Sequence, residues 1–109
     1  VMSYAMDVAA DRRLCLLRAL EASAGYTASL PLLRAFLASV GHDVPADAVR
    51  TELAWLAEQG LVDLPPGASG NVARITERGL DVARGIAIVP GVRRPAPGEC
   101  WPAAARSAP

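Results

Sequence analysis

The stretch "TELAWLAEQGLVDL" (51–64) changes its hydrophobic period partway along. Val49, Leu53 and Leu56 recur at i, i+4 and i+7, the spacing of one buried helix face. Gly60 then stands where a helix ends on a left-handed residue. Beyond it "LVDL" (61–64) is a short β-prone run, and "VARI" (72–75) is another. Between them lies "PPGASGN", a stretch of turn formers. The two runs read as an antiparallel hairpin with a seven-residue loop. Gly60 thus stands between a helix on one side and a hairpin on the other.

The helix before Gly60 spans 45–59, with Pro45 suited to its first turn. Ahead of it, Ser29 is a good N-cap and Pro31 sits in the first turn of a second helix. Leu30, Leu33, Phe36, Leu37 and Val40 form its buried stripe, and Gly41 closes it. A first helix covers 7–24. At ~100° per residue, Ala10, Leu14, Leu16, Leu17 and Leu20 fill one broad arc that belongs in the core. Val8, Cys15, Ala19 and Ala22 make a thinner stripe of small residues on the other side. That stripe is either tolerated surface or the seam where a second copy of the helix packs. After the hairpin, Thr76 caps a short fourth helix, "ERGLDVAR", that stops at Gly85. "IAIV" (86–89) fits a final strand or an extended arm. The domain is drawn at 1–89. From Pro90 the chain is rich in proline and alanine without periodicity, which reads as a flexible tail, 90–109, anchored at most by Trp101.

Composition bounds what this chain does. A chain of 109 residues supports one compact domain, and with 5% aromatics the aliphatic side chains must fill its core. Eleven basic residues, all arginine, balance eleven acidic ones. A net charge of zero gives no global pull toward nucleic acid or an anionic membrane. Cys15 and Cys100 lie in unlike contexts, a leucine-rich helix and a proline-rich segment, which fits reduced thiols in a cytoplasmic protein. No apolar run approaches the ~20 residues that span a bilayer. "VMSYAMD" lacks a basic, then apolar, export signal, so the expected location is the cytoplasm.

The order helix, helix, helix, hairpin, helix is that of a winged helix-turn-helix domain. The segment "VRTELAWLAEQGLVDL…VARITERGLDVA" resembles the third helix, wing and following helix of the ArsR/MarR-type superfamily. The recognisable part is L-x-x-L-x-x-x-G-L-V followed by I-T-x-x-G. It is similar in particular to small winged-helix proteins of Mu-like phages and prophages. The likeness covers about residues 7–88, and its specific part is residues 49–80. The fold it implies is mainly α with a β-hairpin: a three-helix core, a two-stranded wing at 61–75 and a short fourth helix.

That resemblance implies that helix 45–59 enters a DNA major groove. Arg50 would bridge guanine O6 and N7, and Thr51 would reach a phosphate or a thymine methyl. Asn71 and Arg74 on the wing, and the Arg93/Arg94 pair as a minor-groove arm, would hold the backbone. Against this, the helix sets Asp47, Glu52 and Glu58 against a single arginine, and the wing tip carries no basic residue. Trp55 lies ~130° from the core stripe, where packing suits it best. Two readings follow: a dimeric winged-helix regulator of phage or prophage type binding duplex DNA, or a winged helix used for protein–protein contact. A homodimer through Val8, Cys15, Ala19 and Ala22 is expected in either. Neither an enzyme nor a metal or cofactor site is expected. His42 is the single histidine, in a turn where capping or solvation is its ordinary role, and metal sensing of the ArsR type needs clustered Cys and His ligands.

Overall fold

Helix gives way to strand at Gly60, which adopts the left-handed φ of 76°. Its N–H donates to the Ala57 carbonyl at 3.0 Å, and the Leu61 N–H donates to Leu56 at 2.9 Å. This paired closure satisfies the last carbonyls of the helix and buries Leu61 against Leu56. The computed structural model describes residues 3–67 and 71–97. Its elements are α1 (Ser3–Ala22), a 3₁₀ turn (Ala24–Tyr26), β1 (Thr27–Ser29), α2 (Leu30–Ser39), α3 (Ala46–Glu58), β2 (Val62–Asp63), β3 (Val72–Ile75) and α4 (Glu77–Ala83). The architecture is mainly helical, with a three-stranded antiparallel sheet in the order β1-β3-β2.

The expected hairpin is present, with Val62 opposite Ile75 and Asp63 opposite Arg74. The period of two sends Val62, Ala73 and Ile75 inward and leaves Asp63 and Arg74 exposed. The short strand β1 was not legible in the sequence. It pairs Thr27, Ala28 and Ser29 with Arg74, Ala73 and Val72. Three residues carry too little alternation to be recognised, and Ser29 serves twice, ending β1 and capping α2 through its hydroxyl. The stretch 86–89 forms no strand: Ile86 and Ile88 are exposed, while Val89 enters the core and Ala87 packs against it, partly buried. Val40, placed in the α2 stripe by its spacing, is exposed at the helix end.

α1 is the central helix, packed by α2, α4 and β3. Every residue from Leu14 to Leu20 is buried, as befits a helix that is covered on all sides. This corrects the expected dimer seam. Cys15 and Ala19 are 3% and 7% exposed, and both belong to the chain's own core. Val8 is half-buried and Ala22 exposed, so the stripe is not a continuous surface.

Thr76 joins the hairpin to α4. Its N–H donates to the Leu61 carbonyl at 3.0 Å. Its hydroxyl donates to the Gly60 carbonyl at 2.8 Å and accepts from the Gly79 N–H at 3.0 Å. Thr76→Ala is therefore expected to lower stability by about 1–2 kcal/mol, and Thr76→Ser to recover most of it. Urea denaturation of the three proteins measures both differences.

The chain also stays packed past residue 89, where the domain boundary was expected. Val92 is buried with the core, and the Arg93 N–H donates to the Ala10 carbonyl at 3.1 Å. The chain thus stays packed at the start of the expected tail, with the Arg93 backbone held on α1. Trp101, Cys100 and the loop tip 68–70 lie outside the described residues.

Candidate functional site

Two of the expected DNA-contacting residues meet on one exposed surface. Arg50, on the outward side of α3, donates from Nη2 to the Asn71 Oδ1 at 3.2 Å. Asn71 is positioned from behind, since its carbonyl accepts from the Leu30 N–H at 2.8 Å. One residue thereby links the start of β3, the start of α2 and the face of α3. Thr51 is exposed beside Arg50, and its hydroxyl donates back to the Asp47 carbonyl at 3.0 Å. Arg74 is exposed on β3, flanked across the sheet by Thr27 and Asp63.

The acidic character of α3 is redistributed by folding. Glu52 is only 7% exposed, turned toward α1. It accepts from Arg13 Nε at 2.7 Å and from Arg12 Nη1 at 3.3 Å. Three acids in the sequence thus become two on the surface, Asp47 and Glu58. The Arg13 guanidinium also lies 4.0 Å over the Trp55 ring and donates to the Gly91 carbonyl at 3.0 Å. Trp55 is half-buried as its angle on the helix predicts, held between Arg13 and the segment after α4.

Arg93 and Arg94 do not form a free arm. Arg93 Nε donates to Asp11 Oδ1 at 2.6 Å, which fixes it against α1. Arg94 is exposed in a groove with Arg84, Gly85 and Pro95.

A second constellation was missed by the sequence reading. His42 is buried, not solvated, and its Nε2 lies 2.7 Å from Asp11 Oδ2. The cause is local. The left-handed Gly41 closes α2 (φ 97°), and the His42 N–H donates to the Leu37 carbonyl at 2.7 Å. That closure turns the imidazole back onto α1. Cys15, one turn from Asp11, donates to the same Oδ2 at 3.9 Å. Burial alone would raise the Asp11 carboxyl's pKa, but hydrogen bonds from His42 and Arg93 outweigh it and hold the pKa below the ordinary carboxylate value. The sequence hint available was the i,i+4 spacing of Asp11 and Cys15; nothing in it placed His42 beside them.

Among the described residues, fold and sites together define four α-helices with a three-stranded sheet, an exposed Arg50–Asn71 pair and a partly buried Asp–Cys–His cluster. The chain belongs to the family of the phage Mu protein gp26. It is 44% identical over 87 residues, 80% of this chain and 90% of the relative, to the uncharacterized protein gp26 of Escherichia phage Mu. It is also 42% identical over 80 residues, 72% of this chain and 78% of the relative, to an uncharacterized protein of Haemophilus influenzae. No family model and no solved structure matches the chain. No helix among the described residues is long and apolar enough to cross a membrane.

Proposed function

We propose that this protein is a winged-helix DNA-binding protein of a phage or prophage, acting on duplex DNA as a cytoplasmic transcriptional regulator. The observation that carries the reading is the Arg50–Asn71 contact, which unites α3 and the hairpin in one exposed polar surface. The element order supports it, since a short strand before α2 that pairs with the hairpin is compatible with a winged helix. The inward turn of Glu52 supports it too, because it removes one carboxylate from the face that would meet phosphates. Arg50 would then release Asn71 to read a guanine, with Thr51 and Arg74 on the sugar–phosphate backbone. Self-association remains part of this reading, through a surface other than Cys15 and Ala19.

Fluorescence anisotropy with duplexes from the phage or prophage genome around the gene, and with random duplex, tests it at low salt. Arg50→Ala should weaken specific binding about tenfold or more and leave random-duplex binding much less affected. Arg74→Ala should weaken both and flatten the salt dependence by about one counterion.

A second reading is favoured by the exposed Asp47 and Glu58 on α3 and by the absence of basic residues from the sequence 65–71. In it the winged helix binds a protein partner within a phage or host assembly. A folded protein that binds no duplex at ~50 mM salt would establish the preference for that reading.

A further inference from the structure

We propose that Asp11, Cys15 and His42 form a binding site for a borderline-soft divalent transition ion, Zn²⁺ being the best match. Asp11 Oδ2, Cys15 Sγ and one His42 ring nitrogen all lie within 4.8 Å of one another. Cys15 and His42 are buried, and the Asp11 side chain keeps 35% exposure. A tetrahedral zinc ion with bonds of about 2.0–2.3 Å sets its donor atoms about 3.3–3.7 Å apart. The Sγ to Oδ2 distance of 3.9 Å and the Nε2 to Oδ2 distance of 2.7 Å bracket that range. For these two pairs, shifts of less than about 1 Å would reach the ion's spacing, and the Cys15 to His42 separation, within 4.8 Å, would close onto it as well.

The chemistry of the donors selects the metal. A thiolate and an imidazole disfavour Mg²⁺ and Ca²⁺, which take oxygen ligands, and suit Zn²⁺ or Co²⁺. Arg93 holds Asp11 Oδ1 at 2.6 Å, so Oδ2 is the oxygen left for a single bond to the ion. This is the outer-shell contact that ligating carboxylates commonly have. A cysteine thiolate, a carboxylate and a neutral imidazole cancel the ion's two charges. Arg93 then leaves the loaded site with one net positive charge, whereas in the empty cluster the Asp11 carboxylate balances it. The fourth position would be water, reached through the exposed edge of Asp11. Binding displaces the Cys15 thiol proton to solvent and leaves the imidazole proton on the ring nitrogen that does not bind. The site would clamp the turn entering α3 onto α1.

The test is a Co²⁺ titration of the full chain followed by Zn²⁺ competition. Tetrahedral Co²⁺ bound to a thiolate gives visible d–d bands and a near-ultraviolet charge-transfer band. Cys100 is the other cysteine, so Cys100→Ser serves as the background. The charge-transfer band should persist in Cys100→Ser and vanish when Cys15→Ser is added. His42→Asn in the same background should weaken Zn²⁺ binding at least about tenfold. Circular dichroism checks that each variant is folded. Should Cys15→Ser unfold, the His42→Asn affinity decides on its own. Absence of a charge-transfer band in Cys100→Ser, or Zn²⁺ affinity unchanged by His42→Asn, overturns the proposal.

Discussion

Gly79→Ala is expected to lower stability by about 3 kcal/mol or more, the upper part of the range for overpacking a close-fitted site. A Cβ at position 79 would stand 2.2 Å from the Leu61 carbonyl oxygen and 2.6 Å from Ile75 Cγ1. The isoleucine can rotate away, but the carbonyl cannot. It is backbone, it accepts from the Thr76 N–H, and Leu61 itself is wholly buried. Relief would require α4 to lift from the hairpin, which breaks the Thr76 cap at the same time. A loss of that size is a large share of the ~5–15 kcal/mol that holds a small domain together. Thermal and urea denaturation should show a protein that is largely unfolded or melts far below the parent. Glu77→Ala, exposed in the first turn of the same helix, should change stability by about 0.5 kcal/mol or less. A Gly79→Ala protein as stable as its parent would mean that α4 does not seat on Leu61 as described.

Glu52→Gln should cost about 2–3 kcal/mol, below the full figure for a wholly buried pair. The glutamine keeps the shape but removes the charge shared by Arg12 and Arg13. Those two side chains are 17% and 19% exposed, enough for partial hydration but not for full solvation. Two guanidiniums would then face each other across a neutral amide. Arg12→Ala in the Glu52→Gln background should recover part of the loss, since it removes one of the two uncompensated charges. A double-mutant cycle by urea denaturation measures the coupling. The same substitution should leave the Arg50–Asn71 surface intact, because Glu52 lies on the inner side of α3.

Much of this fold was legible because few residues carry it. Gly60 marked the change of period, Ser29 and Thr76 were readable as caps, and Val49, Leu53 and Leu56 stood at helical spacing. The I-T-x-x-G resemblance now has a physical meaning: Ile75 packs, Thr76 clasps, and Gly79 leaves room for a carbonyl. What could not be read was the position of each helix among its neighbours. A one-dimensional plot gives α1 a core side and a thin side, but a central helix is covered on both. Cys15 and Ala19 therefore entered the core, not a seam between copies. The same blindness applied to charge. Glu52 lies some forty residues from Arg12 and Arg13 in sequence, and only packing showed that both guanidiniums share its charge. His42 and Arg93 likewise had no sequence signal that pointed to Asp11. Of the candidate contact residues, Arg50 and Asn71 proved adjacent, Thr51 and Arg74 proved exposed, and Arg93 was engaged elsewhere.

The seating of Gly91 on Trp55 makes the protein its own optical gauge. A Cβ on Gly91 would come within 2.7 Å of the indole, so the ring is a wall against which the chain at Gly91 rests. Arg13 covers it at 4.0 Å, placing a cation over the chromophore as well. Emission from this ring therefore depends on whether that segment is docked. In a Trp101→Phe background, which leaves Trp55 as the sole tryptophan, undocking alone would shift the emission to the red while helical circular dichroism stayed constant. A titration that moves one signal and not the other would separate release of the segment from global unfolding, without any attached label.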